Sequence, residues 1–344
     1  MARFNTDIGR FDYPNTGLNR PEELGWFSLD INREFHDDTS QRKYFIKPSN
    51  YDNVRFDLTK GYEEMVKRDE YKDEQLDHLL KWINNHELGN MQTDFICRRG
   101  LLNRLMRTQY AKQDDWKFAV TLHKGTYYLC ECPTDQSLAT IKQMMGEKDE
   151  EMCGWGCKFE QYLTASSADS VPTPDMRYNN CETFYTVVKA TIGSHTLVYS
   201  GEVDAVSTDE PFGEHYVEFK TIRHSALQRN SFKRYKLRNW WTQSVLVGVP
   251  EIVCGLRDDA GIVTKLQTYT TQDLPTMASD IPDPWKPNVC YNFLDKLLDF
   301  IKSNVTIDDP RLVHLLEFSG RDATCTRLPR DSEYAFMHKW YTHN

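Results

Sequence analysis

Four residues in two short segments have the types and spacing to do chemistry. Glu202 and Asp204 lie two apart in HTLVYSGEVDAVS, and Glu218 and Lys220 lie two apart in YVEFKT, fourteen residues after Asp204. Both segments read as strands, where side chains two apart share a face; Val203 and Phe219 then face the other way. If the strands pair through a turn over 207–213, three carboxylates and one ammonium converge on one patch. Gathering three like charges is strongly unfavourable unless a cation neutralises them, because desolvation and repulsion add. Hard oxygen donors favour Mg²⁺ or Mn²⁺, and such a site can acidify a water and neutralise charge building on a phosphate. The pattern points to metal-assisted hydrolysis of phosphate esters, with Lys220 orienting the water or holding the phosphate. Acid-bearing strands are also what a solvated sheet face with a surface Glu–Lys pair looks like. The apolar residues flanking Glu202 and Glu218 favour core strands, and the helix that follows carries basic residues and Gln243, as a substrate-gripping helix behind such a sheet would.

Strands and helices must position these groups, and the pattern of the chain supplies both. Residues 1–55 are polar and turn-rich (DYPNTGLNRPEELG, KPSN) and read as a loosely structured N-terminal wrap. Helical spacing of apolar residues predicts helices over 71–84, 100–109, 136–145, 156–164, 232–247 and 289–303. WKFAVTLHKGTYYLCEC alternates around Lys124-Gly125, which predicts a β-hairpin. The stretch 166–175 is the most loop-like and is free to move. Residues 183–271 are strand-rich. With no linker long enough to separate domains, the expectation is one α/β (α+β) domain over 1–344, a central mixed β-sheet flanked by helices.

Composition bounds the function. Hydrophobic residues make up 39% and aromatics 12% of 344, enough for a globular core. No stretch approaches the ~20 apolar residues that span a bilayer, and MARFNTDIGRF lacks the apolar core of a secretory signal. Nine cysteines without a pattern fit reduced thiols. A soluble monomer of nucleus and/or cytoplasm, not secreted and with no membrane partner, is expected; KRYK, inside a predicted helix, is a poor import signal. The net charge of −9 argues against a nucleic-acid binder only if it is uniform. It is not, since the windows 222–250 and 97–112 contain no Asp or Glu but many basic residues, as phosphate-binding surfaces do. Cys130-x-Cys132 and Cys153-x3-Cys157 lack a second pair at zinc-finger spacing and read as buried free thiols. His195, His215 and His224 read as polar strand and loop residues. Trp240 or Trp241 can stack on a base, although adjacent helix positions cannot both face a groove, so core packing is expected of at least one.

The E-x-D then E-x-K pattern is that of PD-(D/E)XK-type nucleases. FDLTKGYEEMVKRDE, GCKFEQY, SGEVDAV, VEFKT, KLRNWWTQSVLVGVPEIVCGLRD and DDPRLVHL, in this order from about Phe56 to the end, resemble the DXO decapping exoribonucleases, which are related to the fungal partner of the nuclear 5′-to-3′ exonuclease. The resemblance implies a PD-(D/E)XK nuclease-like core and hydrolysis at RNA 5′ ends that are defective, NAD-capped, triphosphorylated or monophosphorylated. It implies that Glu160 of GCKFEQY joins Asp204, Glu218 and the Phe219 backbone carbonyl on one Mg²⁺ or Mn²⁺ ion, with Glu202 and Asp204 serving a second. Lys220 and Gln243 would contact the scissile phosphate or its water. Arg99 of CRRG would grip RNA, with Arg98 an adjacent rival and Trp241 a further substrate contact. Cys157 stands where the family usually has an aromatic, and Phe219 replaces a common Leu; neither removes a ligand. Two other readings stand beside this one: a catalytically inactive RNA-binding adaptor or stabilising partner of a 5′-to-3′ exonuclease, and a DNA-directed nuclease of the same fold.

Overall fold

A computed structural model of the chain describes every residue except 16, 70, 88–91, 145–146, 209–211 and 344, and all side chains of the rest except those of 144, 147–150 and 153. Two mixed sheets, rather than one central sheet, organise it. The larger has ten strands in the order Ala2–Asn5, Asp322–Arg327, His314–Phe318, Trp116–His123, Thr126–Cys132, Phe95–Arg98, His195–Glu202, Thr183–Ile192, Glu22–Leu29 and Phe35–His36. The smaller has seven, in the order Phe56–Asp57, Ile262–Thr270, Glu251–Arg257, His215–Arg223, Ala205–Ser207, Tyr44–Phe45 and Thr164–Ala165. Helices cover their faces, so this is a single mixed α/β body.

The described residues of 1–55 are not a loose wrap. They contribute strands to both sheets, and Glu22–Leu29 pairs along most of its length with Thr183–Ile192. Its Phe27 and Leu29 are buried against Leu79, Leu80, Trp82 and Ile83 of the helix Asp77–Asn85. The turn residues between these strands are real, but backbone pairing with distant segments overrides them.

Three helices, Arg99–Arg107, Arg238–Leu246 and Pro287–Asn304, join one face of each sheet in the largest apolar cluster. Pro287–Asn304 buries Phe293, Leu294, Leu297, Leu298 and Ile301, as its periodicity predicts. The predicted 232–247 helix is two elements, a π-helical turn Phe232–Leu237 running into Arg238–Leu246. The hairpin forms as expected, with His123 opposite Thr126 and positive φ at Lys124 (50°) and Gly125 (78°). The predicted 136–145 helix is observed as Asp135–Met144, and its residue 145 lies outside the described residues.

On the outer face of the smaller sheet lies the helix Glu147–Leu163, longer than predicted. It is seated by a glycine: a Cβ on Gly255 would come within 2.6 Å of Phe159 Cε2 and 2.8 Å of its Cζ. Phe159 therefore lies on bare backbone and meets Phe219 edge-on at 6.2 Å. Because Glu160 follows Phe159, this contact sets the height of a candidate ligand over the sheet. Gly255→Ala is expected to cost about 1–3 kcal/mol from overpacking, read as a lower Tm. It should also lower kcat through displacement of Glu160, and Phe159→Leu in the same chain should recover part of both.

Candidate active site

The chain passes from one sheet to the other inside the EVD motif. Glu202 ends a strand of the ten-stranded sheet, opposite Tyr185; Ala205 begins a strand of the seven-stranded sheet, opposite Val217. Val203 and Asp204 are the link. Glu202 and Asp204 therefore do not share one strand of a hairpin with Glu218 and Lys220. Only Ala205–Ser207 pairs with the start of His215–Arg223, and the turn expected over 207–213 includes residues 209–211, which lie outside the described residues. Beyond that short partner, among the described residues Glu218, Phe219 and Lys220 pair on one side only, with Ile252, Val253 and Cys254. Their other edge is open, and Asp204 fills it by accepting the Phe219 N–H at 2.7 Å.

Around that opening most of the sequence-derived residues meet. Glu218 is 1% exposed. Its Oε1 accepts from Lys220 Nζ and, at 2.6 Å, from Gln243 Nε2 on the helix behind the sheet. Its Oε2 has no hydrogen-bond partner among the described residues and stands 3.8 Å from Arg99 Nη1, which also has none. Arg99 reaches this place because residue 201 is glycine: a Cβ there would sit 3.1 Å from Arg99 Cδ and 2.5 Å from Val247 Cγ1. Glu160 arrives from the outer helix, whose last turn is closed by Thr164 Oγ1 donating to the Glu160 carbonyl at 2.8 Å. Glu202 accepts from the Tyr185 hydroxyl at 3.5 Å.

The electrostatics are those of crowded anions. Burial, then the nearby Glu202 and Glu218, push the Glu160 carboxyl up to about 7 against the pull of Lys43 and Lys220. Burial, then Glu218 and Glu160, hold Asp204 well above the usual carboxylate range. Burial alone would lower Lys220, but Glu218 and Asp204 outweigh it and keep the ammonium protonated. Among the described residues, no three carboxylates, imidazoles or thiols are gathered at ligating distance; Asp204 is engaged by the Phe219 amide, and Glu218 by Lys220 and Gln243. The donor set still fits a hard divalent cation, since it is all oxygen, mutually repelling, and includes the unpartnered buried Glu218 Oε2.

Two of the candidates are not brought to this cluster. Arg98 turns away from the site, with Nη2 3.6 Å from Glu74 Oε2, beside the buried Arg33–Glu74 pair. Trp241 does not face substrate, because the helix face carrying it is packed in the core. It is 4% exposed, 5.3 Å from both Trp285 and Tyr291, while Trp240 packs on Phe232 and Tyr269. Adjacent positions are both buried for that reason. The other side chains follow expectation: His195 pairs with Asp299 at 3.0 Å, His215 with Glu251 at 3.3 Å, and the described cysteines are free thiols. The side chain of Cys153 lies outside the described residues.

Sequence reasoning missed the far wall. A cleft of about 290 Å³ is lined by Glu160, Glu182 and Glu202 together with Arg42, Lys43 and Arg177. Lys43 is placed by the parallel bridge of Tyr44 to Val206, whose N–H donates to the Lys43 carbonyl at 2.9 Å. No local pattern in residues 40–45 announces this.

Residues 19–342 match the model of the RAI1-like PD-(D/E)XK nucleases. The chain belongs to this family. Within the RAI1-like nucleases it is 37% identical to the human decapping and exoribonuclease protein over 351 residues, covering 98% of this chain and 88% of the human one. Its fold is that of Scheffersomyces stipitis Rai1, solved with (3′-NADP)⁺ and a calcium ion (TM-score 0.82, 23% identity, 96% of this chain and 94% of that one). It is also that of Candida albicans Rai1, solved with pU5 and Mn²⁺ (TM-score 0.79, 21% identity, 95% and 94%). Among the described residues no helix is long and apolar enough to cross a membrane.

Proposed function

We propose that this chain is a divalent-metal-dependent hydrolase of RNA 5′ ends, acting as decapping enzyme, 5′-triphosphate pyrophosphohydrolase and 5′-to-3′ exoribonuclease from one site. The observation that carries the reading is the meeting of Asp204, Lys220 and Gln243 at Glu218 and Phe219, with Glu160 near enough to feel the charges of Glu218 and Lys220, in a chain 37% identical to a decapping and exoribonuclease protein. Glu160, Asp204, Glu218 and the Phe219 carbonyl would hold one Mg²⁺ or Mn²⁺ ion, and Glu202 with Asp204 a second. Bound there, such ions supply charge neutralisation at the phosphate and acidity to the attacking water.

The protein's own groups do the rest. Lys220, kept protonated by its two acids, donates toward the scissile phosphate or holds the water. Gln243, anchored on the same Glu218 oxygen, fixes the orientation of that carboxylate and presents its amide to the substrate. The unpartnered Arg99 Nη1 is ready to take a phosphate oxygen once the anion arrives. Burial excludes bulk water, which strengthens each of these contacts. Decapping, pyrophosphate release and exonucleolysis all put a phosphorus beside the same groups, and differ only in what leaves.

One panel tests this: RNAs of one sequence carrying triphosphate, monophosphate, NAD or unmethylated-cap 5′ ends, with a matched DNA, incubated with Mg²⁺, Mn²⁺ or chelator. Metal-dependent release of pyrophosphate, cap fragments or mononucleotides from RNA is expected. No turnover on any RNA, together with capture of a 5′-to-3′ exonuclease, would establish the adaptor reading instead; preference for DNA would establish the third.

A further inference from the structure

The cleft is lined by groups of both charges, and the mechanism above uses only the acidic ones. Glu160, Glu202 and Glu182, the last held by Asn179 Nδ2 at 2.7 Å, share the lining with Arg42, Lys43 and Arg177 and with Tyr178 and Asn180. Several of these groups carry unspent donor capacity. Arg42 Nη2 is taken by Glu214 at 2.8 Å, but its Nε is buried without a partner among the described residues. The Tyr178 hydroxyl belongs to a residue 6% exposed and has no partner among them either. Burial and the neighbouring Cys157 push that phenol up to about 12, so it stays a donor. Lys43 has no carboxylate within ion-pair distance among the described residues, and its charge is felt by Glu160. Donors and cations left unsatisfied in a cleft that also holds candidate metal ligands describe a receptor for a polyanion.

Position says which polyanion. Arg99, Lys220 and Gln243 approach Glu218 from the inner helices and sheet, whereas Lys43 stands on the outer side, with Glu160 and Glu202. Cations on the two sides of the carboxylate cluster meet the two sides of a scissile phosphate. In a phosphodiester the leaving group is a ribose 3′-oxygen, and the 5′-phosphate of the departing nucleotide lies a whole ribose away from the bond that breaks. In a phosphoanhydride the next phosphate is one bridging oxygen away, where a cation beside the cleaved bond can hold it. We infer that Lys43, with Arg42 and Arg177 at the rim, binds the leaving-side phosphates of phosphoanhydride 5′ ends and so sets the preference for triphosphate ends over plain phosphodiesters. The inference rests on the hydrolase reading above. Water oxygen bonds to the α-phosphorus while the bond to the bridging oxygen breaks. Pyrophosphate departs with the electron pair, and the water's proton passes to solvent.

Two RNAs of identical sequence, one 5′-triphosphorylated and one 5′-monophosphorylated, test it with wild-type protein, Lys43→Ala and Lys43→Arg under Mn²⁺. The ratio of initial pyrophosphate release to initial mononucleotide release should fall about 10- to 100-fold in Lys43→Ala, the range of a lost charge-assisted hydrogen bond, and largely return in Lys43→Arg. Inhibition by added inorganic pyrophosphate should weaken by a similar factor. An unchanged ratio, or equal losses on both RNAs, would overturn it, the latter because Lys43 would then only position Glu160. If wild-type protein turns over neither RNA, the hydrolase reading fails. Calorimetry with inorganic pyrophosphate then decides this one separately, since equal affinity for wild type and Lys43→Ala would reject the subsite. The Lys43 backbone bond to Val206 does not depend on its side chain, and matching melting curves check the fold.

Discussion

Asp204→Asn and Glu218→Gln should each reduce turnover of 5′-triphosphate and 5′-monophosphate RNA by roughly 10³-fold with Mn²⁺. That factor corresponds to about 4 kcal/mol of transition-state stabilisation, in the range that a divalent ion supplies to charge on a phosphoryl group. Both substitutions keep shape and hydrogen-bond acceptors. In the first variant the introduced amide oxygen can still cap the Phe219 N–H, as the Asp204 carboxylate does at present. In the second it can still accept from Lys220 and Gln243, as the Glu218 carboxylate does. The fold should therefore persist, with unchanged circular dichroism and a melting temperature no lower than wild type in chelator. Both 5′-end activities should fall together, since one cluster serves both. Near-normal turnover in either variant would remove these carboxylates from the mechanism. Loss of one activity with retention of the other would split the single site in two.

How much of this site was legible beforehand depends on whether it lay in short-range pattern. Glu218, Lys220 and Gln243 did: the first two through strand alternation, the third through a helix bearing bases on an acid-free stretch, and the structure joins all three on one oxygen. Glu202 and Asp204 were legible as carboxylates but not in their placement. Alternation runs on through residues 205–207, and nothing local marks the change of sheet at Val203. Arg99 and Arg98 are indistinguishable in sequence; what separates them is the absence of a Cβ on Gly201, a hundred residues away. Trp241 misled because helix periodicity does not say which face is wet, and the face carrying Trp240 and Trp241 is packed while Gln243 is the residue that reaches the site. The N-terminal strands were invisible because the main ones pair with distant segments, Glu22–Leu29 with Thr183–Ile192 about 160 residues on and Ala2–Asn5 with Asp322–Arg327 about 320 residues on. Lys43 was lost with them. Its importance comes wholly from the register that brings Tyr44 beside Val206.

The crowding that makes the site a metal ligand should also make the metal-free protein sensitive to pH in an unusual direction. Most native carboxylates sit below their unfolded pKa, so proteins gain stability as pH rises through the acid range. Glu160 is displaced the other way, from the ordinary 4.5 up to about 7, and Asp204 is raised with it. Between those limits the folded chain holds protons that the unfolded chain has released. This contribution to stability is present below the unfolded value and disappears as pH climbs through the folded one. For Glu160 alone the displacement amounts to about 3 kcal/mol. A divalent cation that binds the ionised cluster restores that stability by mass action, and does so more fully where fewer protons compete. Three results should follow in thermal melts. In chelator, Glu160→Gln should be more stable than wild type at pH 7.5 by several degrees and nearly equal to it at pH 5. Saturating Mn²⁺ should raise the wild-type Tm more at pH 7.5 than at pH 5.5. That gain should shrink in Glu160→Gln, because one ligand oxygen has lost its charge. If Glu160→Gln and wild type keep parallel profiles across this range, with equal gains from Mn²⁺ at both pH values, Glu160 is an ordinary ionised side chain. The carboxylates then do not share an ion, and hydrolysis at this cluster has no physical basis.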